Sequence, residues 1–151
     1  MPTVKDSYET DFFEWTRETA EKIRQGSFSA IDLETLAEEV ESLGSRDQRE
    51  ALRRLFQLLL HLLKWRYQAE YRKRVGEASW RQSIDNQRDA LERIFVASPS
   101  LRRFVLENWQ MEFGRARKRA ASQTGLSLIA FPTECQWTLE QILDEDFFPE
   151  D

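Results

Sequence analysis

Apolar residues recur every three or four positions along most of the chain, which is the spacing of one face of an α-helix. The first such segment covers about residues 6–25, and Gly26 is placed to end it. The second begins at Ser29, whose spacing to Asp32 is close to a capping box, and Gly44 is predicted to end it. The apolar stripe of this second helix consists of Leu33, Leu36, Val40 and Leu43.

The third predicted helix is the longest and the most apolar. It begins at Ser45, with Gln48 at the capping-box position, and continues to about Arg74. Leu58 and Leu60 widen its apolar arc beyond one face, so we expect other helices to enclose it. This segment is therefore the predicted central helix.

Three more helices are predicted towards the C-terminus. Ser79 opens the fourth with another capping-box spacing, and Pro99 opens the fifth, which Gly125 ends. Thr138 begins the capping box of a last short helix around residues 139–143. The aromatic residues that follow this helix are expected to pack back on the body of the protein.

Length and composition agree with a single helical domain. The chain has 151 residues, of which 32% are charged, with only five Gly and four Pro to interrupt helices. We find no strand-like alternation, no internal repeat and no long linker. The prediction is an all-α protein: a single-domain helical bundle of five or six helices with a long central helix, formed by residues 1–151.

The cysteine content and the apolar runs narrow the class of protein. Cys135 is the only cysteine, so neither an intramolecular disulfide nor a cysteine-built zinc site is possible within this chain. The first residues lack the apolar core of a signal peptide, and no apolar run approaches the roughly 20 residues that span a bilayer. We expect a cytoplasmic protein that does not enter a membrane.

Charge is divided into three blocks along the chain. Residues 1–45 carry 4 basic and 11 acidic groups (−7), residues 46–124 carry 18 and 9 (+9), and residues 125–151 carry 0 and 7 (−7). The favoured interpretation is that the acidic ends fold over the basic middle. The alternative, which we do not favour, is a bare basic face that binds nucleic acid. Its candidate residues are Arg72, Lys73, Arg74, Arg115, Arg117, Lys118 and Arg119.

Seven runs, in order along nearly the whole chain, carry a family resemblance. They are residues 8–15, 36–44, 61–67, 79–80, 98–101, 131–132 and 143–147. Together they resemble a bacterial family of uncharacterised proteins, domain-of-unknown-function family twenty-nine. The resemblance implies a small helical bacterial protein and no assigned activity. The family pattern has a proline soon after the third run, where this chain has Gln68 and Ala69, so we expect the helix to continue there.

A polar seam on the central helix is the first candidate site. His61, the only histidine, lies about 160° from Leu59 and shares its side of the helix with Lys64 and Trp65. Glu39 lies only about 60° off the apolar stripe of its own helix, and a partly buried carboxylate needs a partner. A polar pocket of these residues could use His61 as a general base or ligand contact. The favoured alternative is a histidine bonded to a neighbouring helix or exposed to solvent, and we predict neither a metal nor a cofactor.

Two opposite charges on apolar stripes form the second candidate. Arg88 lies about 40° from Ile84, and Glu112 lies within about 20° of Val105. This placement predicts a buried, structural ion pair between the fourth and fifth helices. The alternative is a ligand pocket in the core of the bundle.

Three functions remain open from the sequence. The leading hypothesis is a non-enzymatic helical protein-interaction module that binds a protein partner or forms a homo-oligomer. It requires an exposed apolar patch. The alternatives are a ligand-binding or enzymatic protein with the pocket near His61, Glu39 and Lys64, and a nucleic-acid-binding protein.

Overall fold

The computed structural model describes residues 4–150, with side chains from Ser7 onward. This part of the chain forms α-helices and no β-strand, which confirms the all-α prediction. The helices are α1 (Val4–Thr10), α2 (Phe12–Gln25), α3 (Leu33–Tyr67), α4 (Ala69–Val75), α5 (Ala78–Ala97), α6 (Ser100–Thr124) and α7 (Leu139–Leu143). Single 3₁₀ turns lie at Phe28–Ala30 and Leu128–Ala130.

The contacts group the chain into two compact units. The first is Met1–Arg46 and the second is Asp47–Asp151, so the boundary falls inside α3. The formation of a single domain by residues 1–151 stays a prediction, and each unit is described below by itself.

The first unit contains two helices, α1 and α2, where the sequence predicted one. The helix expected over residues 6–25 is interrupted at Asp11, whose backbone is extended (φ −149°). The Asp11 carboxylate accepts a hydrogen bond from the Glu14 amide at 3.1 Å and so caps the start of α2. Gly26 ends α2 in the left-handed conformation (φ 72°), as predicted.

The start of α3 and its passage through Gly44 also differ from the prediction. Ser29 lies in a 3₁₀ turn, and Asp32 is the capping residue, because its Oδ1 accepts from the Thr35 amide at 3.2 Å. The helix then continues through Gly44 and Ser45, where an end and a new start were expected. A glycine permits a helix to end but does not force it, and its cost of about 1 kcal/mol in a helix interior is easily offset by the neighbouring turns.

The core of the second unit is built around the C-terminal half of α3. Five leucines of this segment are fully buried, and α5 and α6 contribute Ile84 and Val105 to the same core. The leucines are Leu55, Leu58, Leu59, Leu62 and Leu63. The prediction of a long central helix is confirmed, because apolar residues on several sides of α3 are enclosed.

Helix ends in the second unit follow the sequence signals in part. The helix expected to continue past residue 67 breaks at Gln68 (φ −122°, ψ 41°), which separates α3 from α4. Ser79 lies inside α5, and Glu77 occupies its N-cap position instead. Gly125 ends α6 in the left-handed conformation, and the capping box that begins at Thr138 is formed, both as predicted.

Candidate functional site

Residues 126–150, which we call the C-terminal segment, are held on the helices of the second unit by arginines that donate to backbone carbonyls. From α5, Arg88 donates to Ile142 O at 2.9 Å and to Phe147 O at 2.6 Å. From α6, Arg117 donates to Leu128 O at 3.0 Å and to Phe131 O at 3.2 Å. The expectation that the aromatic end packs back on the body is therefore met, with guanidinium–carbonyl hydrogen bonds as the attachment.

Arg88 and Glu112 are both buried, at 5% and 4% exposure, but they do not pair with each other. Glu112 binds Arg115, which lies one turn further along the same helix, at 3.2 Å. Arg88 is occupied by the carbonyls of the C-terminal segment. The predicted ion pair is wrong because a helical wheel identifies the buried face and says nothing of what covers it.

Burial and charge act in opposite directions on Arg88. Desolvation lowers the pKa of its guanidinium, and the carboxylates of Asp85, Asp144 and Asp146 counteract that shift. The site therefore holds a charged arginine beneath an acidic rim.

Trp65 belongs to the core and does not line an open pocket. It is 1% exposed, and Phe148 from the C-terminal segment packs against it with ring centroids 4.8 Å apart. The guanidinium of Arg72 lies 4.2 Å from the Trp65 ring centroid, and that of Arg81 lies 4.1 Å from the Phe148 ring. This stack of aromatic rings and guanidinium groups attaches the end of the chain to α3 and α5.

His61 and Lys64 lie one turn apart on α3, and both are partly buried. His61 Nδ1 donates to Gln57 O at 2.7 Å, a bond within its own helix. Burial lowers the pKa of His61; the bond to Gln57 opposes this shift, and the nearby charge of Lys64 adds to it. The pKa of Lys64 is also lowered by burial. Both groups are shifted towards their neutral forms.

Glu39 accepts a hydrogen bond from a residue of the first unit. The Tyr8 hydroxyl donates to Glu39 Oε1 at 2.6 Å. The structure describes Glu39 in the first unit and His61, Lys64 and Trp65 in the second, and a pocket shared by the four residues stays a prediction.

A large concavity lies in the second unit, between α5, the start of α6 and the C-terminal segment. Its volume is about 1030 Å³, and Arg88 and Phe95 are among the residues that line it. Its rim is acidic: Asp85, Asp89, Glu92, Glu140, Asp144, Glu145 and Asp146. Within the described residues, no three metal-ligating side chains cluster closely enough to hold a metal ion. Periodicity did not find this groove, because its two walls are about fifty residues apart in sequence; only the acidic composition of the C-terminal block hinted at it.

A second open feature lies on the N-terminal part of α3, in the first unit. Leu33, Val40 and Leu43 are 59%, 58% and 57% exposed, although they are three of the four residues of the predicted apolar stripe. The fourth, Leu36, is half-buried, whereas the small residues Ala37 and Gly44 beside the stripe are exposed. We call the exposed set Leu33, Ala37, Val40, Leu43 and Gly44 the open stripe.

The family comparison covers nearly the whole chain. The family model described as "Domain of unknown function DUF29" matches residues 7–148 of the 151. The chain belongs to the DUF29 family. No curated protein and no solved structure matches this DUF29 chain. The family description assigns no activity, so function has to be argued from the surfaces of the molecule.

The basic clusters of this DUF29 chain are partly occupied by protein groups. Arg72 is buried against Trp65, Arg115 pairs with Glu112, and Arg117 holds carbonyls of the C-terminal segment. Lys73, Arg74, Arg115, Lys118 and Arg119 are exposed. Three of the seven candidate cations, Arg72, Arg115 and Arg117, thus contact groups of the protein, and nucleic-acid binding stays a prediction.

In the part of the chain that the structure describes, no helix combines the length and the apolar character that crossing a bilayer requires.

Proposed function

We propose that this DUF29 chain is a non-enzymatic helical protein-interaction module and that the open stripe of α3 is its docking face. The observation that carries the proposal is the exposure of Leu33, Val40 and Leu43, each more than half exposed on one side of a continuous helix. We further propose that the module acts in a bacterial cytoplasm, as expected from the sequence.

The spacing of the open stripe suits a helical partner. Leu33 and Val40 are seven residues apart and Leu43 follows three residues later, which is the a and d spacing of helices that pack side by side. Amphipathic helices are commonly recognised by a neighbouring apolar face through contacts at such intervals. An apolar stripe on an exposed helix loses its unfavourable contact with water when such a partner covers it.

Peptide binding tests the proposal directly. The probe is a fluorescein-labelled helical peptide of about three heptads, with Leu at a and d and with Gln and Ala elsewhere. We expect saturable binding by fluorescence anisotropy, and an affinity at least about tenfold lower in Val40→Asp. The substitution removes apolar contact area and places a carboxylate without a partner in the interface.

The matched control is Val96→Asp, which makes the same change on α5 at a valine that is 76% exposed. It should leave the affinity of the peptide unchanged, and circular dichroism should show the same helix content in both variants. The proposal is wrong if the wild-type chain shows no saturable binding, or if the two valine variants weaken binding equally.

A further inference from the structure

We infer that the partner helix on the open stripe carries basic side chains along one edge; this inference rests on the proposed function and adds the chemistry of the partner. It depends on the charges that border the stripe. Glu34, Glu38 and Glu41 follow one another at intervals of four and three residues on α3, and all three are exposed. We call them the carboxylate row.

Helix geometry places the carboxylate row directly beside the open stripe. At about 100° per residue, the stripe spans roughly 120° around α3, from Leu43 to Ala37. The row begins about 40° beyond Ala37, with Glu41 as its nearest member. A helix that packs on the stripe therefore brings one of its own edges next to the row.

The other side of the stripe is covered within the first unit. Glu39 lies about 40° beyond Leu43 on that side, with Thr35 and Ser42 further round, and all three are partly buried. Glu39 accepts the hydrogen bond from Tyr8. Leu36 lies within the span of the stripe itself and is half-buried. A partner can thus approach from the open side alone, with the carboxylate row along one edge of the contact. The carboxylate row therefore determines which edge of the partner helix lies next to negative charge.

No cation of the described part of the chain pairs with the carboxylates of the row. Among the described residues, none of the three carboxylates makes an ion pair, although exposed pairs occur elsewhere on the surface, such as Arg93 with Asp89. The sequence of the first unit carries 5 basic and 11 acidic groups, a net of 5 − 11 = −6. Lys or Arg on the partner would supply the missing opposite charge, whereas acidic residues there would be repelled.

Charge also argues against a second copy of this chain as the occupant. If two copies packed their open stripes together in antiparallel orientation about a two-fold axis, like edges would meet. Glu34, Glu38 and Glu41 of one copy would then lie against the same residues of the other. A heterologous basic helix avoids this repulsion.

Two peptides with the same apolar stripe test the inference. Both have Leu at a and d over about three heptads; one has Lys at e and g, and the other has Glu there. We expect the Lys peptide to bind at least about tenfold more tightly than the Glu peptide at low salt. Each of the three carboxylates of the row would form a weak ion pair with a Lys of the peptide, and three such pairs together account for a roughly tenfold difference in affinity. The difference should shrink as salt rises, since exposed charges are screened.

Charge reversal on the chain assigns the effect to the row. Glu34→Lys, Glu38→Lys and Glu41→Lys together should abolish or invert the preference for the Lys peptide. The matched control reverses three exposed carboxylates at the groove of the second unit, Glu92, Glu140 and Glu145, and should leave the preference intact.

The outcomes separate this inference from the proposed function. If both charged peptides bind equally, or if the groove variant loses the preference and the row variant keeps it, the inference is wrong. The proposed function still stands in that case, provided Val40→Asp weakens the uncharged peptide. Self-association that Val40→Asp abolishes, measured by analytical ultracentrifugation, would overturn the inference in favour of a second copy. Failure of all three peptides to bind would overturn both.

Discussion

Removing the Arg88 guanidinium should release the end of the C-terminal segment from α5. Arg88 is 5% exposed, and its donors reach the carbonyls of Ile142 at 2.9 Å and Phe147 at 2.6 Å, with a longer contact to Glu145 O at 3.5 Å. Arg88→Met keeps a long apolar side chain on α5 but has no donor. The carbonyls must then find water, which requires the segment to move.

The expected loss of stability follows from these contacts. A hydrogen bond made by a charged group contributes about 1.5–3 kcal/mol, so the two short bonds of Arg88 amount to about 3–6 kcal/mol. Relief of the buried charge offsets part of this, because a well-packed apolar replacement avoids the desolvation cost. We expect Arg88→Met to lower the free energy of unfolding by about 2–4 kcal/mol, and the melting temperature by roughly 4–16 °C for a chain of this size.

Urea unfolding followed by circular dichroism measures the loss, and hydrogen exchange with mass spectrometry locates it. Exchange should rise most in residues 139–150. The matched control is Arg93→Met on the same helix, where Arg93 pairs with Asp89 at 3.0 Å and its side chain is 80% exposed. That pair should contribute less than about 1 kcal/mol. Equal destabilisation by the two variants, or a loss in Arg88→Met without faster exchange at the C-terminal end, would refute the reasoning.

Three further predictions concern single groups. The hydrogen bond from Tyr8 to Glu39 raises the pKa of Tyr8, so the folded state favours the neutral form of its hydroxyl. The free energy of unfolding of the wild type should therefore fall above about pH 10, and Tyr8→Phe should reduce that fall. Burial lowers the pKa of His61, so the midpoint of its NMR titration should lie below 6.5. The contribution of the neutral His61 to the free energy of unfolding should be fully present above pH 6.5 and should decline as the pH falls below that value. Thr138→Ala should cost about 1 kcal/mol in urea unfolding by removing the cap of α7; an unchanged midpoint would contradict it.

Local signals predicted helix ends well where one residue decides the conformation. Gly26 and Gly125 adopt the left-handed backbone that only glycine takes readily, and Thr138 has the side-chain oxygen that the amide of Gln141 needs. The same reasoning failed at Gly44 and Gln68. At Gly44 the helix continues although a glycine was available, and at Gln68 it breaks although neither residue type nor spacing demands it.

At the candidate sites, too, the sequence predicted the buried positions but not the groups that contact them. Periodicity correctly placed Arg88 and Glu112 on buried faces, because the helical period states which side of a helix turns inward. Their partners are Ile142 and Phe147 for Arg88, and Arg115 for Glu112. The carbonyls that bind Arg88 are more than fifty residues away along the chain, so no local pattern could have named them.

The amino-acid sequence by itself determined the all-α character of the chain, the apolar central segment of α3 and the charge of each block, because spacing and residue type act locally along the backbone. Tertiary structure alone decided which faces are covered. It covered Arg88 with the C-terminal carbonyls, enclosed Trp65 beneath Phe148, and left Leu33 and Val40 open beside a row of carboxylates. An apolar stripe has the same sequence signature whether it is buried in its own fold or kept for a partner, and only the packing of the chain distinguishes the two.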